Sequence, residues 1–146
     1  MKDGTEPRKA VIYLRVARDD KDRFARAIAA QRHACLRRVA ELELQVVGEY
    51  ADRGSGLSLK GRPNLTRLLA ELKGLGARYV ITYGHAQISR DLQLYASIMW
   101  SIRKAGARLE IASLPHFDPG TVALLLIGQV GELQLAEPEE SDDAVQ

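Results

Sequence analysis

The 146-residue sequence is 46% hydrophobic but only 5% aromatic, and its net charge is +2, which suits one domain with a packed core rather than a disulfide-stapled scaffold. The single cysteine, Cys35, excludes an intrachain disulfide and favours a reducing compartment. The polar start of the chain lacks a secretory signal, and the longest aliphatic run, residues 122–127, is too short to span a bilayer. We therefore expect a cytoplasmic protein with no membrane contact.

The charge is unevenly distributed along the chain. Residues 137–146 carry five acidic side chains and no basic one, so removing them from the net charge of +2 leaves +7 on residues 1–136. Such a basic body favours polyanionic partners, whereas the acidic tail would weaken contact with phosphates. We predict that residues 137–146 form an acidic disordered tail. Charge alone leaves open a simpler interpretation of the rest of the chain, in which the basic residues form a solvated face.

Strand and helix patterns alternate along the chain. Residues 1–9 are polar and are predicted to be a flexible N-terminus, and Asp19-Asp20 provide N-cap chemistry for the first helix. The predicted strands cover residues 10–16, 45–51, 78–83 and 108–113, and the predicted helices cover residues 21–43, 63–73, 90–105 and 118–136. A flexible loop rich in Gly and Ser is predicted over residues 52–60. This order predicts a mainly parallel sheet of about four strands with helices on both faces, in a domain spanning residues 10–136.

The last predicted helix is apolar around most of its circumference, a pattern that requires burial on more than one side. We expect this helix to pack on its own domain and also on a second copy of the chain, giving a two-fold homodimer. The residues predicted to form this contact are Leu124, Leu125, Ile127, Val130 and Leu133. The alternative is a core helix that covers the edge of the sheet.

Arginines follow the predicted strands. In parallel sheets, ligands bind beyond the carboxyl ends of the strands, where Arg15, Arg62 and Arg90 are expected to converge. Three guanidinium groups suit a phosphodiester because their planar donors match phosphate oxygens. The alternative is that each arginine pairs separately with Asp52, Asp91 or the C-terminus of a helix.

Five short motifs occur in order along the chain. They are Tyr13-x-Arg15-Val16, Gln31-Arg32, Tyr50-x-Asp52-x-Gly54-Ser55-Gly56, Gly61-Arg62-Pro63 and Ile88-Ser89-Arg90-Asp91. Together they resemble the catalytic domain of the serine recombinases, the resolvase and invertase family, from about residue 11 to residue 136. The resemblance implies a flavodoxin-like, three-layer α/β fold with a long C-terminal dimerisation helix. It also implies DNA cleavage through a covalent phosphoserine without a metal or other cofactor.

The same resemblance assigns the site residues. The implied catalytic positions are Arg15, Ala17, Gln31, Asp52, Ser55, Arg62 and Arg90, of which Arg15, Arg62 and Arg90 would bind phosphate or DNA. Position 17 is that of the family's nucleophilic serine, and the family's Asp-Arg pair falls on Ala86-Gln87. These degenerate positions predict a natural pseudo-enzyme, because alanine cannot form the covalent intermediate.

The C-terminal part of the sequence also departs from the family. The family's Ala-Glu-Leu-Glu-Arg pattern is replaced by Gly-Glu-Leu-Gln-Leu over residues 131–135, and Pro138 is predicted to end the helix where family members continue toward a DNA-binding domain. We therefore expect any DNA affinity of this chain to be weak and independent of sequence.

Two other functions stay open at this point. One is an active recombinase that uses a displaced hydroxyl such as that of Ser55, or that works beside an intact partner subunit. The other is a protein-interaction module whose arginines are structural. The expected partners are a second copy, weakly bound DNA or a full-length recombinase, with no small-molecule substrate. His33, His85, His116 and Cys35 lack metal-ligand spacing.

Overall fold

The fold is an open α/β sheet, seen in a computed structural model that describes residues 6–17 and 21–115. The strands are β1 (Lys9–Val16), β2 (Gln45–Arg53), β3 (Ala77–Thr82) and β4 (Arg108–Ile111), and the helices are α1 (Lys21–Glu41), α2 (Pro63–Leu75), α3 (His85–Ile88) and α4 (Leu92–Lys104). Within these residues the four strands form one sheet in the order β2-β1-β3-β4, and every neighbouring pair is parallel. The predicted parallel sheet of about four strands is confirmed.

Strand β1 lies inside the sheet and is buried on both faces, which explains its continuous apolar sequence. Side chains of a strand alternate between the two faces. Ala10, Ile12 and Leu14 pack on the side of α1, whereas Val11 and Tyr13 pack on the side of α2 and α4. Arg15 continues the second set, so its side chain leaves the sheet on the face of α2 and α4.

The helices cover the two faces with apolar stripes at helical spacing. On one face, α1 contributes Ile28, Cys35 and Val39. On the other, α2 and α4 contribute leucines and isoleucines, among them Leu68 and Ile98. Cys35 is fully buried in this cluster, and burial raises the pKa of its thiol to about 12, which disfavours the reactive thiolate.

The observed boundaries differ from the predicted ones near the loops. Strand β2 continues through Arg53, because Asp52 and Arg53 still pair with the end of β1. Asp52 therefore lies in a strand and not in the predicted loop. Strand β4 ends at Ile111, two residues early, and α1 ends at Glu41. The four-residue α3 lies between the predicted third strand and the predicted third helix, where no element was predicted, since one helical turn is too short to show a period.

The predicted helix over residues 118–136, with its proposed dimer residues, lies outside the described residues, as does the acidic tail. None of the described helices is both long enough and apolar enough to cross a membrane.

Candidate functional site

A cavity of about 920 Å³ lies at the carboxyl ends of β1 and β2. Its walls come from the loop after β2, from α3 and from the beginning of α1. Four lining residues are cationic, namely Arg15, Arg23, Lys60 and Arg90. No acidic side chain occurs among the described lining residues, so these walls carry only positive formal charges and favour an anionic ligand.

The Arg15 guanidinium is held by backbone carbonyls from two separate segments. Its Nη1 donates to the carbonyl oxygen of Gly54 at 2.5 Å, and its Nη2 donates to that of Ala86 at 2.6 Å. Its Nε donates to the carbonyl oxygen of Gln87 at 3.1 Å. Burial, followed by the nearby charge of Arg62, lowers the pKa of Arg15 below its ordinary value. Arg15 thus joins β1 to the loop after β2 and to α3.

The Gln31 side chain holds the backbone of Arg15. The Arg15 N–H donates to Oε1 of Gln31 at 3.1 Å, and Nε2 of Gln31 donates to the Arg15 carbonyl oxygen at 2.9 Å. Strand β3 stops pairing with β1 at Tyr13, opposite Thr82. The buried amide of Gln31 therefore takes over from the missing strand partner and keeps the end of β1 extended.

Arg62 is fully buried behind the cavity, with 0% of its surface exposed. Its Nε donates to the Ser58 carbonyl oxygen at 3.1 Å, and its Nη1 donates to the Gln87 carbonyl oxygen at 3.1 Å. Its Nη2 is buried and has no hydrogen-bond partner in the part of the chain that the structure describes. Arg15 and Arg62 therefore share the Gln87 carbonyl, but Arg62 is not among the residues that line the cavity.

Arg90 is exposed and lines the cavity just before α4 begins. Its neighbour Asp91 caps that helix, because Oδ2 of Asp91 accepts the N–H of Leu94 at 2.9 Å. The predicted convergence of three arginines is therefore observed for only two of them. Arg15 and Arg90 line one cavity, whereas Arg62 lies behind its wall.

Asp52 is buried and caps α2 from outside that helix. Its Oδ1 accepts the N–H of Asn64 at 3.0 Å, and its Oδ2 accepts the N–H of Leu65 at 2.8 Å. The Tyr13 hydroxyl also donates to Oδ2 at 2.9 Å, and burial raises the pKa of this tyrosine. Asp52 thus has a structural role here, and among residues 6–17 and 21–115 it forms no ion pair with an arginine.

The remaining predicted positions also line the cavity. Ala17 is exposed directly after β1, and Ala86 and Gln87 face the cavity from α3. Ser55 is exposed in the loop after β2, and its Oγ accepts the N–H of Leu57 at 3.0 Å. The structure therefore brings positions 17, 55, 86 and 87 to one place.

Two glycines that the sequence motif contained have a role that the sequence did not reveal. A Cβ at Gly56 would lie 2.9 Å from Nη2 of Arg15, and a Cβ at Gly54 would lie 2.7 Å from the Gly61 carbonyl oxygen. The Gly56 carbonyl oxygen accepts the hydroxyl of Ser89 at 2.7 Å. Gly54 is thus required where the loop closes on its own backbone, and Gly56 lets the loop approach the Arg15 guanidinium closely. The repeated glycine in the motif was the sequence signal for this packing.

No group of three or more potential metal ligands occurs among residues 6–17 and 21–115. His85 begins α3, and its Nδ1 lies 2.5 Å from the Tyr95 hydroxyl oxygen on α4. Burial lowers the pKa of His85 and favours the neutral imidazole. This contact joins α3 to α4.

The fold and the cavity define an open parallel α/β domain with a cationic site beyond the carboxyl ends of its strands. The chain belongs to the resolvase family, since residues 10–139 match the family described as "Resolvase, N terminal domain". The domain that defines this family is the catalytic domain of the serine recombinases, which act in DNA recombination.

Solved structures of similar fold are also recombinases. The N-terminal catalytic domain of TP901-1 integrase is 20% identical, with a TM-score of 0.73 over 87% of this chain and 96% of that one. A resolvase family site-specific recombinase from Streptococcus pneumoniae is 18% identical, with a TM-score of 0.69 over 92% of each chain. At these identities the likeness shows a common fold. No curated protein matches the sequence.

Proposed function

We propose that this chain is a serine-recombinase-type domain that has lost DNA strand cleavage and acts as a dimerising pseudo-enzyme that binds DNA phosphates. The single observation that carries the proposal is that three of the positions that depart from the family, Ala17, Ala86 and Gln87, line one cavity. A methyl group at position 17 has no lone pair with which to attack phosphorus. These three departures thus lie together at the position that the resemblance implies for the nucleophile.

The cavity also offers no well-activated substitute for the missing serine. Ser55 and Ser58 carry the only hydroxyls among its described lining residues, and each Oγ accepts a backbone N–H in a local turn. No histidine, carboxylate or thiol lines the described walls to accept a proton from them. The Tyr13 hydroxyl is buried, donates to Asp52 and has a raised pKa.

What remains in the cavity suits binding without cleavage. Cationic side chains line the described walls, and no carboxylate does. A phosphodiester in the cavity would therefore be attracted by these cations and would not be repelled by a negative side chain. These features support affinity for the DNA backbone, which is independent of base sequence.

The test is a nicking assay on supercoiled plasmid, followed by denaturation and detection of protein joined covalently to DNA. We expect neither nicks nor an adduct from this chain, while an intact serine recombinase on its own target plasmid gives both. A covalent adduct formed by this chain would reject the proposal. Loss of such an adduct in Ser55→Ala, with retention in Ser58→Ala, would then identify Ser55 as the displaced nucleophile.

A second candidate function is a protein-interaction module. The contacts of Arg15 and Arg62 with backbone carbonyls favour it, because those arginines then serve the fold. DNA binding that weakens steeply with salt separates the two functions, because phosphate contacts release counterions. Binding to a full-length recombinase without DNA would support the interaction module.

The proposed dimer rests on the sequence of the apolar segment at residues 118–136. Charge in this segment would disrupt a packed helix interface but would leave an isolated domain intact. We expect Leu125→Glu to convert a dimer into a monomer, as measured by analytical ultracentrifugation. A wild-type chain that sediments as a monomer would remove dimerisation from the proposal.

A further inference from the structure

A basic surface lies at the amino edge of the sheet, at the opposite end of the strands from the cavity. It is formed by exposed side chains from four segments, and we call it the amino-edge patch: Arg8, Arg78, Arg103, Lys104 and Arg108. We propose that the acidic segment of residues 137–146 docks on the amino-edge patch of its own chain.

The ring of Tyr79 holds two members of the patch together. The guanidinium carbon of Arg8 lies 5.2 Å from the centre of this ring, and that of Arg108 lies 5.8 Å from it. Nη1 of Arg8 also donates to the Tyr79 hydroxyl oxygen at 2.9 Å. An aromatic ring attracts a cation without carrying a negative charge of its own. Tyr79 therefore fixes where the two guanidinium groups lie but does not neutralise them.

The patch has no carboxylate partner within residues 6–17 and 21–115, where none of its members forms an ion pair. Arg38 differs, because it is paired with the buried Glu110. Glu6 and Glu43 also lie at the amino edge, before β1 and β2, and still leave a net positive charge there. Such a surface favours an acidic partner.

The direction of the helices indicates how the chain could return to this edge. Each of α1, α2 and α4 begins after the carboxyl end of one strand and ends before the amino end of the next. The sequence predicts a further helix over residues 118–136, after β4, and a helix of that length spans about 28 Å. The 8 residues of β1 span about 26 Å. A helix in the same direction would therefore bring residue 137 to the amino edge.

The charge of residues 137–146 complements the patch. These residues lie outside the described ones, and their sequence contains five carboxylates and no cation, which equals the number of cations in the patch. The cavity offers this segment fewer partners, because three of its described lining cations are exposed, namely Arg23, Lys60 and Arg90. A segment whose composition predicts disorder can still be held by opposite charges.

The experiment is carbodiimide cross-linking of the full chain at low salt, followed by digestion and mass spectrometry of the peptides. The reagent joins a carboxylate directly to a lysine amine, so a product identifies groups in contact. We expect Lys104 to be joined to the carboxylates of residues 137–143. Lys60, on the cavity wall, is the internal control and is expected not to react with them.

Charge-conserving lysine variants extend the test to the arginines. Arg78→Lys and Arg108→Lys each place an amine in the patch, so each is expected to give a new cross-link to residues 137–143. Arg90→Lys, at the cavity, is the matched control and is expected to give none. If loss of the ring contact destabilises Arg108→Lys, Arg78→Lys still decides the proposal.

The contact is expected to be electrostatic and to form within one chain. The double variant Arg78→Gln/Arg108→Gln should lower the yield of the Lys104 cross-link roughly threefold, because each exposed ion pair is weak. Arg90→Gln should leave the yield unchanged. Salt at about 1 M, where the Debye length is about 3 Å, should abolish the cross-link. In a mixture of isotope-labelled and unlabelled chains, each cross-linked product should carry a single label.

Three results would overturn the proposal. Cross-links from residues 137–143 to Lys60, or to the amine introduced by Arg90→Lys, would show that the acidic segment covers the cavity instead. Products of mixed label would assign the contact to a second copy of the chain. The absence of any cross-link to Lys104 and to the amine of Arg78→Lys at low salt would show that the segment does not dock on the patch.

Discussion

Two arginines, Arg15 and Arg38, each join parts of the chain that are far apart in sequence, but their acceptors differ. Arg15 donates to three backbone carbonyls beside the cavity. Arg38 on α1 donates through Nε to the Glu110 carboxylate on β4 at 2.8 Å and through Nη1 to Glu41 at 2.9 Å. Its Nη2 donates to the Pro115 carbonyl oxygen at 3.2 Å. The segments around Arg15 are therefore held together by carbonyl dipoles. The contact between α1 and β4 is held mainly by the opposite charges of Arg38, Glu41 and Glu110.

The difference shows in the direction of the two pKa values. Burial, with the nearby charge of Arg62, lowers the pKa of Arg15. Burial also acts to lower the pKa of Arg38, but its hydrogen bonds to Glu41 and Glu110 outweigh burial and raise it. Carbonyls satisfy donors without cancelling a charge, whereas carboxylates do both. The cavity therefore keeps its positive charge, whereas the charge of Arg38 is neutralised in the contact between α1 and β4.

The largest expected effect is on the carboxylate-held region. Arg38→Met would leave Glu110, which is only 6% exposed, without its cation. We expect a loss of about 3 kcal/mol in the free energy of unfolding, because a buried charge without its partner is strongly unfavourable. Urea denaturation measures it. Arg32→Met is the matched control on the same helix.

The control pair is exposed. The side chains of Arg32 and Glu49 are 41% and 35% accessible, so breaking this pair is expected to cost less than about 1 kcal/mol. The double variant Arg38→Met/Glu110→Leu should recover most of the loss, because an apolar pair of similar volume can replace a buried ion pair. Equal losses in Arg38→Met and Arg32→Met would contradict the distinction between the two sites.

An intermediate effect is expected from crowding the carbonyl-held region. Gly56→Ala would place a Cβ 2.9 Å from Nη2 and 3.1 Å from Cζ of Arg15. The guanidinium cannot yield without losing its carbonyl contacts, so we expect a loss of about 1–2 kcal/mol in thermal unfolding experiments. Gly61→Ala is the control in the same loop, since its Cβ would meet nothing within 4 Å. Two similar Tm values would show that Arg15 is not tightly held.

The smallest effect is a pH dependence from His85, which anchors α3 next to the Arg15 acceptors. Its pKa in the folded chain lies below the ordinary value of 6.5 because burial disfavours the imidazolium. As the pH falls below about 6.5, the unfolded chain takes up a proton that the folded chain resists, so stability decreases. We expect His85→Gln to flatten this part of the curve of unfolding free energy against pH. His33→Gln, at an exposed position on α1, is the control, and identical curves for wild type and His85→Gln would refute the effect.

Much of the fold was predictable from local patterns. The apolar run of β1 and the helical spacing in α1 identify these two elements. A strand that is buried on both faces gives a continuous apolar run, whereas a helix that is buried along one stripe gives apolar residues every three or four positions. The placement of Arg15 and Arg90 at the same edge of the sheet was also predictable, because the carboxyl ends of parallel strands meet at one edge. The four-residue α3 and the last two residues of β2 were missed, since each depends on tertiary contacts rather than on a repeat.

The sequence by itself determined the order of the elements, the parallel sheet and the gathering of arginines at one edge, because these follow from hydrophobic periodicity and connectivity. Only the tertiary structure decided what each arginine contacts. Every residue carries a carbonyl, so the acceptors of Arg15 at Gly54, Ala86 and Gln87 leave no side-chain signature. The same holds for Asp52, whose cap on α2 joins a strand and a helix that meet only in the folded chain.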